Sequence, residues 1–530
     1  MEVNPNSEPL ATPASDSTPG GSGPGLETER GVDPRAIDHA DAAWLAKGSA
    51  IVLAGGFIGQ AFQFACQIAL ARLLGPAQFG LYGIGWTLFR LVGPFAAMGL
   101  NAGVIYGASV AGASDTGRRR DVLVQSLALG LLAGGVVGLI AYVAAPSLST
   151  EVFGKNELTV VLRGFALGLP LLTAMTVASA STKLTLSMVY STITEALIQP
   201  GLNLLLIVVA VHFMSEGLVG AIVATVLSYA VALMAGLAFV FTLFGPVLRS
   251  GHKMKWRVNE LLAFSLPASI AAAFINLINR VDRLVIGAFL SASQVGIYQA
   301  ASQTSTLFDI VPNVFNNVIG TRVADLHASR DRERLESLYK LGAKWSFYLT
   351  MPAFLVVCAA PGAVMEVLYG EHYRAGAWPL VIMCLGLMSD AVVGAASPIL
   401  IFSGNQRLAG TISTGALISA VVLNFVLVPR LGLIGGAIST ALAEGGMLGG
   451  LLLAVKLRLD LWPYDRRWLK GLIAAGCTAL ALGLLRSGFG SIVRSELLPN
   501  LLLAGGTFWA VLFLLGFDPE DTRFFFPGSR

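Results

Sequence analysis

Charge is what this chain has least of. Asp, Glu, Lys and Arg make up 12% of its 530 residues, about half the share usual in a soluble domain. A water-facing surface for two or three soluble domains cannot be built from so few charges, and that class is excluded. Cysteine is also sparse. Cys66, Cys358, Cys384 and Cys477 all lie in apolar stretches, which excludes a disulfide framework or a cysteine-based metal cluster. The five histidines are scattered and no HExxH or CxxC occurs, so metal catalysis is not expected. Lys155 is the only lysine preceded by glycine, and Asn156 follows it. A GxxxxGK[ST] phosphate loop is therefore absent, and ATP hydrolysis on this chain is excluded. No cofactor is expected, and the net charge of +4 carries no case for a nucleic-acid partner.

What is abundant is apolar. Hydrophobic residues are 55% of the chain and the mean hydropathy is +0.72. A bilayer hides such surface without a polar coat, so the chain reads as an all-α, polytopic membrane protein. Apolar runs fall near 48–71, 81–106, 122–145, 159–180, 193–213, 217–244, 263–289, 295–320, 342–362, 377–402, 409–428, 433–455, 470–486 and 497–516. Each is about the ~20 residues a tilted helix needs, which makes about fourteen passages. The 60 glycines suit close helix–helix approach. Gly99-xxx-Gly103-xxx-Gly107 and Gly130-xxx-Gly134-xxx-Gly138 in particular predict packing faces. Residues 1–44 are rich in Pro, Ser, Gly and acidic groups and read as a disordered tail.

Lysine and arginine set the orientation. With the tail in the cytoplasm, Arg118–Arg120, Arg249/Lys253/Lys255/Arg257, the Arg322–Lys344 segment and Lys456/Arg458/Arg466/Arg467/Lys470 are all inside. By that assignment about 25 of the 35 basic residues are cytoplasmic and about 7 external. The expectation is a multi-pass protein of the inner (plasma) membrane with both termini cytoplasmic.

The sequence also repeats itself. Gly75-Pro76-Ala77-Gln78-Phe79-Gly80-Leu81-Tyr82 is answered by Ser291-Ala292-Ser293-Gln294-Val295-Gly296-Ile297-Tyr298, about 216 positions later. Leu167-Gly168-Leu169 is answered by Leu385-Gly386-Leu387, and Gly217–Ile222 by Gly432–Ile438 at nearly the same offset. Pro94 and Pro312 correspond too. Six passages separate the copies, and an even number preserves orientation, so the repeats are parallel. The expected organisation is an N-terminal lobe over 45–244, a cytoplasmic linker over 245–262 and a C-terminal lobe over 263–456. Two further passages and a cytoplasmic C-terminus fill 457–530. Two parallel six-helix lobes meeting face to face enclose a central cavity, as in transporters that work by rocking.

Three segments carry a family resemblance. They are Ala71-Arg72-Leu73-Leu74-Gly75-Pro76-x-x-Phe79-Gly80-x-Tyr82, Val281–Gly287 followed by Val295-Gly296-Ile297-Tyr298, and Tyr369-Gly370-x-x-Tyr373. Over about residues 45–460 the chain resembles the polysaccharide transporter (oligosaccharide flippase) family of the multidrug/oligosaccharidyl-lipid/polysaccharide exporter superfamily. The resemblance implies transbilayer movement of an undecaprenyl-pyrophosphate-linked oligosaccharide by alternating access during surface polysaccharide biosynthesis, lipopolysaccharide included. It implies as partners the lipid-linked oligosaccharide, membrane lipids and polysaccharide assembly proteins. Three alternatives stay open: a cation-coupled multidrug or metabolite exporter of the same superfamily, a membrane-embedded polysaccharide polymerase or ligase, and a non-transporting scaffold that recruits partners through the tail and the 322–344 segment. The short external connections near 146–158, 363–376 and 487–496 leave little room for a catalytic domain, so no enzyme is expected.

An ionisable group at mid-bilayer costs ~2.5–3.5 kcal/mol on insertion scales and should face protein or water. Arg90, Arg280, Asp282, Arg283, Asp309, Asp390 and Glu444 are placed there, with Glu195 nearer the cytoplasmic end. Asn276, Asn279, Arg280 and Arg283 follow helical i, i+3, i+4, i+7 spacing, and Gln60, Gln63 and Gln67 do likewise on the first passage. Guanidinium suits phosphate because it is always charged and presents a fork of donors. Arg90, Arg280 and Arg283 are therefore candidates for the pyrophosphate, with the Asn and Gln stripes as further substrate contacts. The bland reading is that Arg280 or Arg283 neutralises Asp282 or another nearby carboxylate. Asp282, Asp309, Asp390 and Glu444 are candidates for a coupling proton or sodium ion, with helix–helix bonding as their bland reading.

Overall fold

The computed structural model describes residues 39–111, 115–185, 187–214, 216–249, 254–278, 280–329, 331–466, 468–488 and 497–516. Every regular element among them is helical. Hydrocarbon offers the backbone no hydrogen bonds, so a spanning segment has to satisfy its own N–H and C=O groups. All the expected passages fall on helix. Residues up to Ser49 form a unit of their own beside the unit Ala50–Arg530. The described part of that first unit is only the start of the first helix, so 39–44 of the expected tail are helical and the rest lies outside the described residues.

The elements in order are α1 (His39–Ala96), α2 (Leu100–Ala111), α3 (Thr116–Ser147), α4 (Leu158–Thr182), α5 (Val189–Thr192), α6 (Gln199–Ile207) and α7 (Gly217–Leu248). They continue with α8 (Val258–Ile278), α9 (Val281–Phe289), α10 (Ala292–Ser305), α11 (Ile310–Ala328), α12 (Arg332–Ala359), α13 (Pro361–Tyr369) and α14 (Ala377–Val393). The last are α15 (Ala396–Leu400), α16 (Gln406–Leu459), α17 (Trp468–Gly488) and α18 (Leu497–Leu514). Among the described residues nine helical runs are long and apolar enough to cross a membrane. Two of these hold more than one passage. Gly75 (φ 71°) joins two helices within α1, and Gly432 (φ 59°) does so within α16, at backbone angles that a side chain would strain.

The first repeat packs α3 against α4 and α4 against α7, and the second packs α14 against α12 and α16. Both glycine stripes are packing faces, as expected. A Cβ on Gly134 would lie 2.8 Å from Pro170 Cα, and one on Gly138 2.7 Å from Ala166 O, both on α4. The other stripe faces α8. A Cβ on Gly99 would lie 3.1 Å from Ser269 N, and one on Gly107 3.2 Å from Leu261 Cδ2. The segment before α8 is pinned to α3. Lys255 N donates to Asp121 Oδ2 (3.1 Å), Gln125 Nε2 donates to Lys255 O (2.6 Å), and Arg257 N donates to Gln125 Oε1 (2.8 Å). One side-chain amide thus takes the place of a neighbouring strand. The added α17 and α18 pack on α12 through aromatic rings, among them Phe347–Trp468 at 4.4 Å and Trp345–Trp509 at 6.3 Å.

The duplication survives in individual bonds. Tyr82 Oη meets Thr225 Oγ1 at 2.9 Å, and its counterpart Tyr298 Oη meets Thr440 Oγ1 at 3.4 Å. Gly154 and Gly370 are likewise paired by the repeat, and both have positive φ (61° and 103°). One expectation fails here. The helical spacing of Asn276 to Arg283 presumed an unbroken helix, but α8 ends at Ile278 and α9 starts at Val281, with Arg280 at φ −137°, ψ 0°. Asn279 lies outside the described residues, as does the side chain of Asn276.

Packing at the α3–α4 face is the test of this arrangement. Gly134→Val should lower the thermal stability of the solubilised protein by about 1–3 kcal/mol through overpacking. Gly135→Val, where nothing lies within 4 Å of the new Cβ, should shift the same melting curve by no more than about 0.5 kcal/mol.

Candidate functional site

A cavity of about 540 Å³ opens within the second repeat, walled by α9, α10, α11, α14 and α16. Asp282, Asp309, Asp390 and Glu444 all line it, together with Arg283. Four residues expected separately from hydropathy are therefore neighbours across one space. Hydroxyl and amide groups, among them Ser302, Ser305, Thr440, Asn313 and Asn424, add to the polar part of the wall. Among the described residues no group of three His, Cys, Asp or Glu side chains is close enough to hold a metal ion. The carboxylates are spread round the wall.

Each acid has its own local support. Asp282 Oδ2 accepts from Tyr298 Oη at 3.0 Å, and Tyr298 is buried. Asp390 Oδ2 accepts from Asn316 Nδ2 at 3.4 Å. Asp309 lies within electrostatic range of Glu444 and Asp390, and Glu444 within range of Asp390 and Asp282. Asn424 is 1% exposed and lines the cavity. Its Nδ2 donates to Ala420 O (2.9 Å), while its Oδ1 is buried without a partner. A buried amide oxygen in that state can accept from a ligand at no cost in internal bonds.

The repeat makes this acidity one-sided. At an offset of 216, Cys66 stands where Asp282 stands, Gly93 for Asp309 and Ala174 for Asp390; at the offset of 215 that relates Thr225 to Thr440, Tyr229 stands for Glu444. Every cavity carboxylate of the second repeat has a neutral counterpart in the first. There Cys66 Sγ accepts from Asn203 Nδ2 (3.5 Å), a neutral contact in place of the Asp282–Tyr298 bond.

Arg280 and Arg283 stand at the helix break. Arg280 lies within electrostatic range of Arg283, Asp282 and, from the first repeat, Arg90. Arg90 stands 5.8 Å from the Trp86 ring centroid and beside the Tyr229 hydroxyl. Trp86 and Tyr229 belong to an aromatic nest with Phe89 and Phe165, which stiffens that wall. Arg283 donates from Nη2 to Ser302 Oγ (2.9 Å). The Nε atoms of Arg280 and Arg283 are buried without partners. Among the described residues no ion pair joins Asp282 to either arginine.

Gln60 and Gln63 are exposed, and Gln67 is half-buried with an unpartnered Oε1. Glu195 is exposed within range of the Tyr229 hydroxyl. Sequence reasoning missed Tyr298, Thr440 and Asn424. A signal for Asn424 was present, an isolated amide in the apolar run 409–428. Tyr298 stands out in the sequence only as part of the repeat and of a family segment.

The family described as polysaccharide biosynthesis protein matches residues 69–377, more than half of the chain, and this protein belongs to that family. A relative named "Probable low-salt glycan biosynthesis flippase Agl15", from Haloferax volcanii, is 22% identical over 180 residues. That match spans 34% of this chain and 38% of the relative. Among solved structures, the lipid II flippase MurJ in an inward closed conformation superposes with a TM-score of 0.71 at 13% identity, over 88% of this chain and 98% of that one. An inward-facing MATE-family multidrug resistance transporter of the MOP superfamily gives 0.64 at 18% identity, over 77% and 98%. At those identities the likeness establishes the fold alone, which this chain shares with both of those proteins.

The Asp282 support can be measured directly. Tyr298→Phe removes a hydrogen bond to a charged group and should cost about 1.5–3 kcal/mol. Tyr82→Phe, the same change in the neutral repeat, should cost about 1 kcal/mol. Thermal unfolding of the two variants side by side gives the difference.

Proposed function

We infer that the protein is a flippase for a polyprenyl-pyrophosphate-linked oligosaccharide, working by alternating access between its two lobes. The observation that carries the reading is the convergence of Arg90 from one repeat with Arg280 and Arg283 from the other. Asp282 offers one negative charge to these three guanidinium groups, which leaves an excess of positive charge that an anionic ligand would balance. Guanidinium groups bond a pyrophosphate through paired donors, and the buried Nε atoms of Arg280 and Arg283 are donors still free. Because the set spans both lobes, an anion bound there tracks their relative motion. The sugars occupy the space between the lobes while the polyprenyl tail stays in lipid. The basic end of the bundle is the cytoplasmic one in the inner (plasma) membrane, and an interior-negative potential then favours outward movement of the anion by ~2.3 kcal/mol per charge per 100 mV.

The acid-lined cavity of the second lobe supplies the coupling site in this reading. Asp282, Asp309, Asp390 and Glu444 bind a proton or a sodium ion, with the hydroxyl and amide groups of the wall as further oxygen donors. The same cavity supports a second reading, a cation-coupled exporter of amphipathic solutes. That reading has no use for three clustered arginines.

Two experiments separate these. In vesicles reconstituted with a fluorescent polyprenyl-pyrophosphoryl oligosaccharide, the double variant Arg280→Gln/Arg283→Gln should flip at least tenfold more slowly, since lost charged hydrogen bonds are each worth about 1.5–3 kcal/mol. In cells it should leave the lipid-linked glycan on the inner leaflet. An unchanged flipping rate sinks the pyrophosphate assignment. For coupling, Asp282→Asn and Glu444→Gln should abolish the response of flipping to an imposed sodium or proton gradient while leaving its response to membrane potential.

A further inference from the structure

At the end of the bundle away from the basic loops, the two lobes touch through matched glycines. A Cβ on Gly80 would overlap Ala292 O and lie 2.7 Å from Gly296 N. A Cβ on Gly296 would overlap Pro76 O and lie 3.0 Å from Gly80 N. Gly80 and Gly296 are repeat counterparts, and so are Pro76 and Ala292. Each glycine therefore rests on the carbonyl four residues before the other, as a twofold relation requires. The backbones are in direct contact, with no side chain between them to deform.

Among the described residues three side chains donate hydrogen bonds across the same seam, all to main-chain oxygens. Arg72, from the first lobe, donates from Nε to Leu368 O (2.8 Å) and from Nη2 to Val367 O. Those carbonyls close the last turn of α13, whose C-terminal end attracts a cation. Tyr373, from the second lobe, donates from Oη to Ala71 O (2.8 Å), and its ring meets Phe79 edge-on at 6.2 Å. Lys155 Nζ, from the first lobe, donates to Gly287 O (2.6 Å). Tyr369 bonds Thr304 at 2.9 Å within the second lobe. The Tyr369-Gly370-x-x-Tyr373 segment thus anchors one tyrosine at home and sends the other across. Separation of the lobes at this end breaks every crossing bond together, and closure restores them only at one register, because backbone oxygens are fixed in place where carboxylates would swing.

We propose that Arg72 and Tyr373, seated over the Gly80–Gly296 contact, are the latch of the outer gate and set how often the lobes part on the side away from the basic loops. The latch involves no substrate group. It goes beyond the flippase reading and requires only that the lobes move against each other.

The test is a distance measurement without substrate. Spin labels at Asn156→Cys and Glu371→Cys, both exposed and one on each lobe, report the seam in lipid nanodiscs in a cysteine-free background. A second pair, Asn156→Cys and Glu216→Cys, lies within the first lobe and reports its integrity. The unaltered latch should give one short inter-lobe distance. Arg72→Ala and Tyr373→Phe should each add a longer distance, raising its share roughly tenfold, with the distance inside the lobe unchanged. Gly80→Ala, which removes no bond, should add the same longer distance by preventing close contact. If Arg72→Ala broadens both distances the lobe itself has loosened, and the milder Tyr373→Phe decides: a new inter-lobe distance supports the latch, an unchanged one overturns it. An inter-lobe distribution unaltered in both Arg72→Ala and Tyr373→Phe also overturns it. That failure leaves the flippase reading standing, because its own test reads lipid movement.

Discussion

Hydrocarbon provides no partner for a backbone amide or a charge, and this constraint shapes the protein at every level. It forces the described chain into helices, which close their own hydrogen bonds. It brings Asp282, Arg283, Asp309, Asp390 and Glu444 together around one cavity. The cost of each buried charge is what makes these side chains informative. A soluble protein could scatter four acids and three arginines over its surface without consequence. Here the acids border one space of about 540 Å³, and Arg280 and Arg283 stand at one break in a helix within electrostatic range of Arg90.

Duplication supplied a scaffold, and divergence supplied its chemistry. The Tyr82–Thr225 and Tyr298–Thr440 contacts keep the two lobes alike in packing. Against that constant frame, Cys66 and Asp282 occupy matching places with different charge. One lobe has become the ionisable partner, and the other has become the aromatic wall that carries Arg90 on Trp86. Two repeats alike in these contacts and unlike in charge differ in their affinity for a cation.

The interfaces between the lobes differ at the two ends. At the basic end, α8 lies on the glycine face of α2, and the segment before it is held by Asp121 and Gln125. At the opposite end the contact is glycine on glycine, crossed by donors that reach only main-chain oxygens. The break at Arg280 separates the half-helix that packs on α2 from the half-helix that packs on α16. That break joins the two bodies at the depth where the guanidinium groups collect.

Class, passage number and repeat were legible in the sequence because they depend on sums and periods. Hydropathy integrates over ~20 residues, and the repeat over about 216 positions survives individual substitutions. The packing role of the two glycine stripes was legible for the same reason, since spacing alone puts small residues on one face. The intramembrane charges could be named because their cost is local. Which of them share a cavity could not be read, nor that the helical stripe from Asn276 to Arg283 is broken at Arg280. Tyr298, Asn424 and Tyr373 gained their roles only by proximity to residues far away in the chain. Proximity of that kind is decided by how two lobes pack, and a packing energy spread over many contacts leaves no single motif in the sequence. The chain by itself determined what must be hidden from lipid; the tertiary structure alone decided what each hidden group would meet.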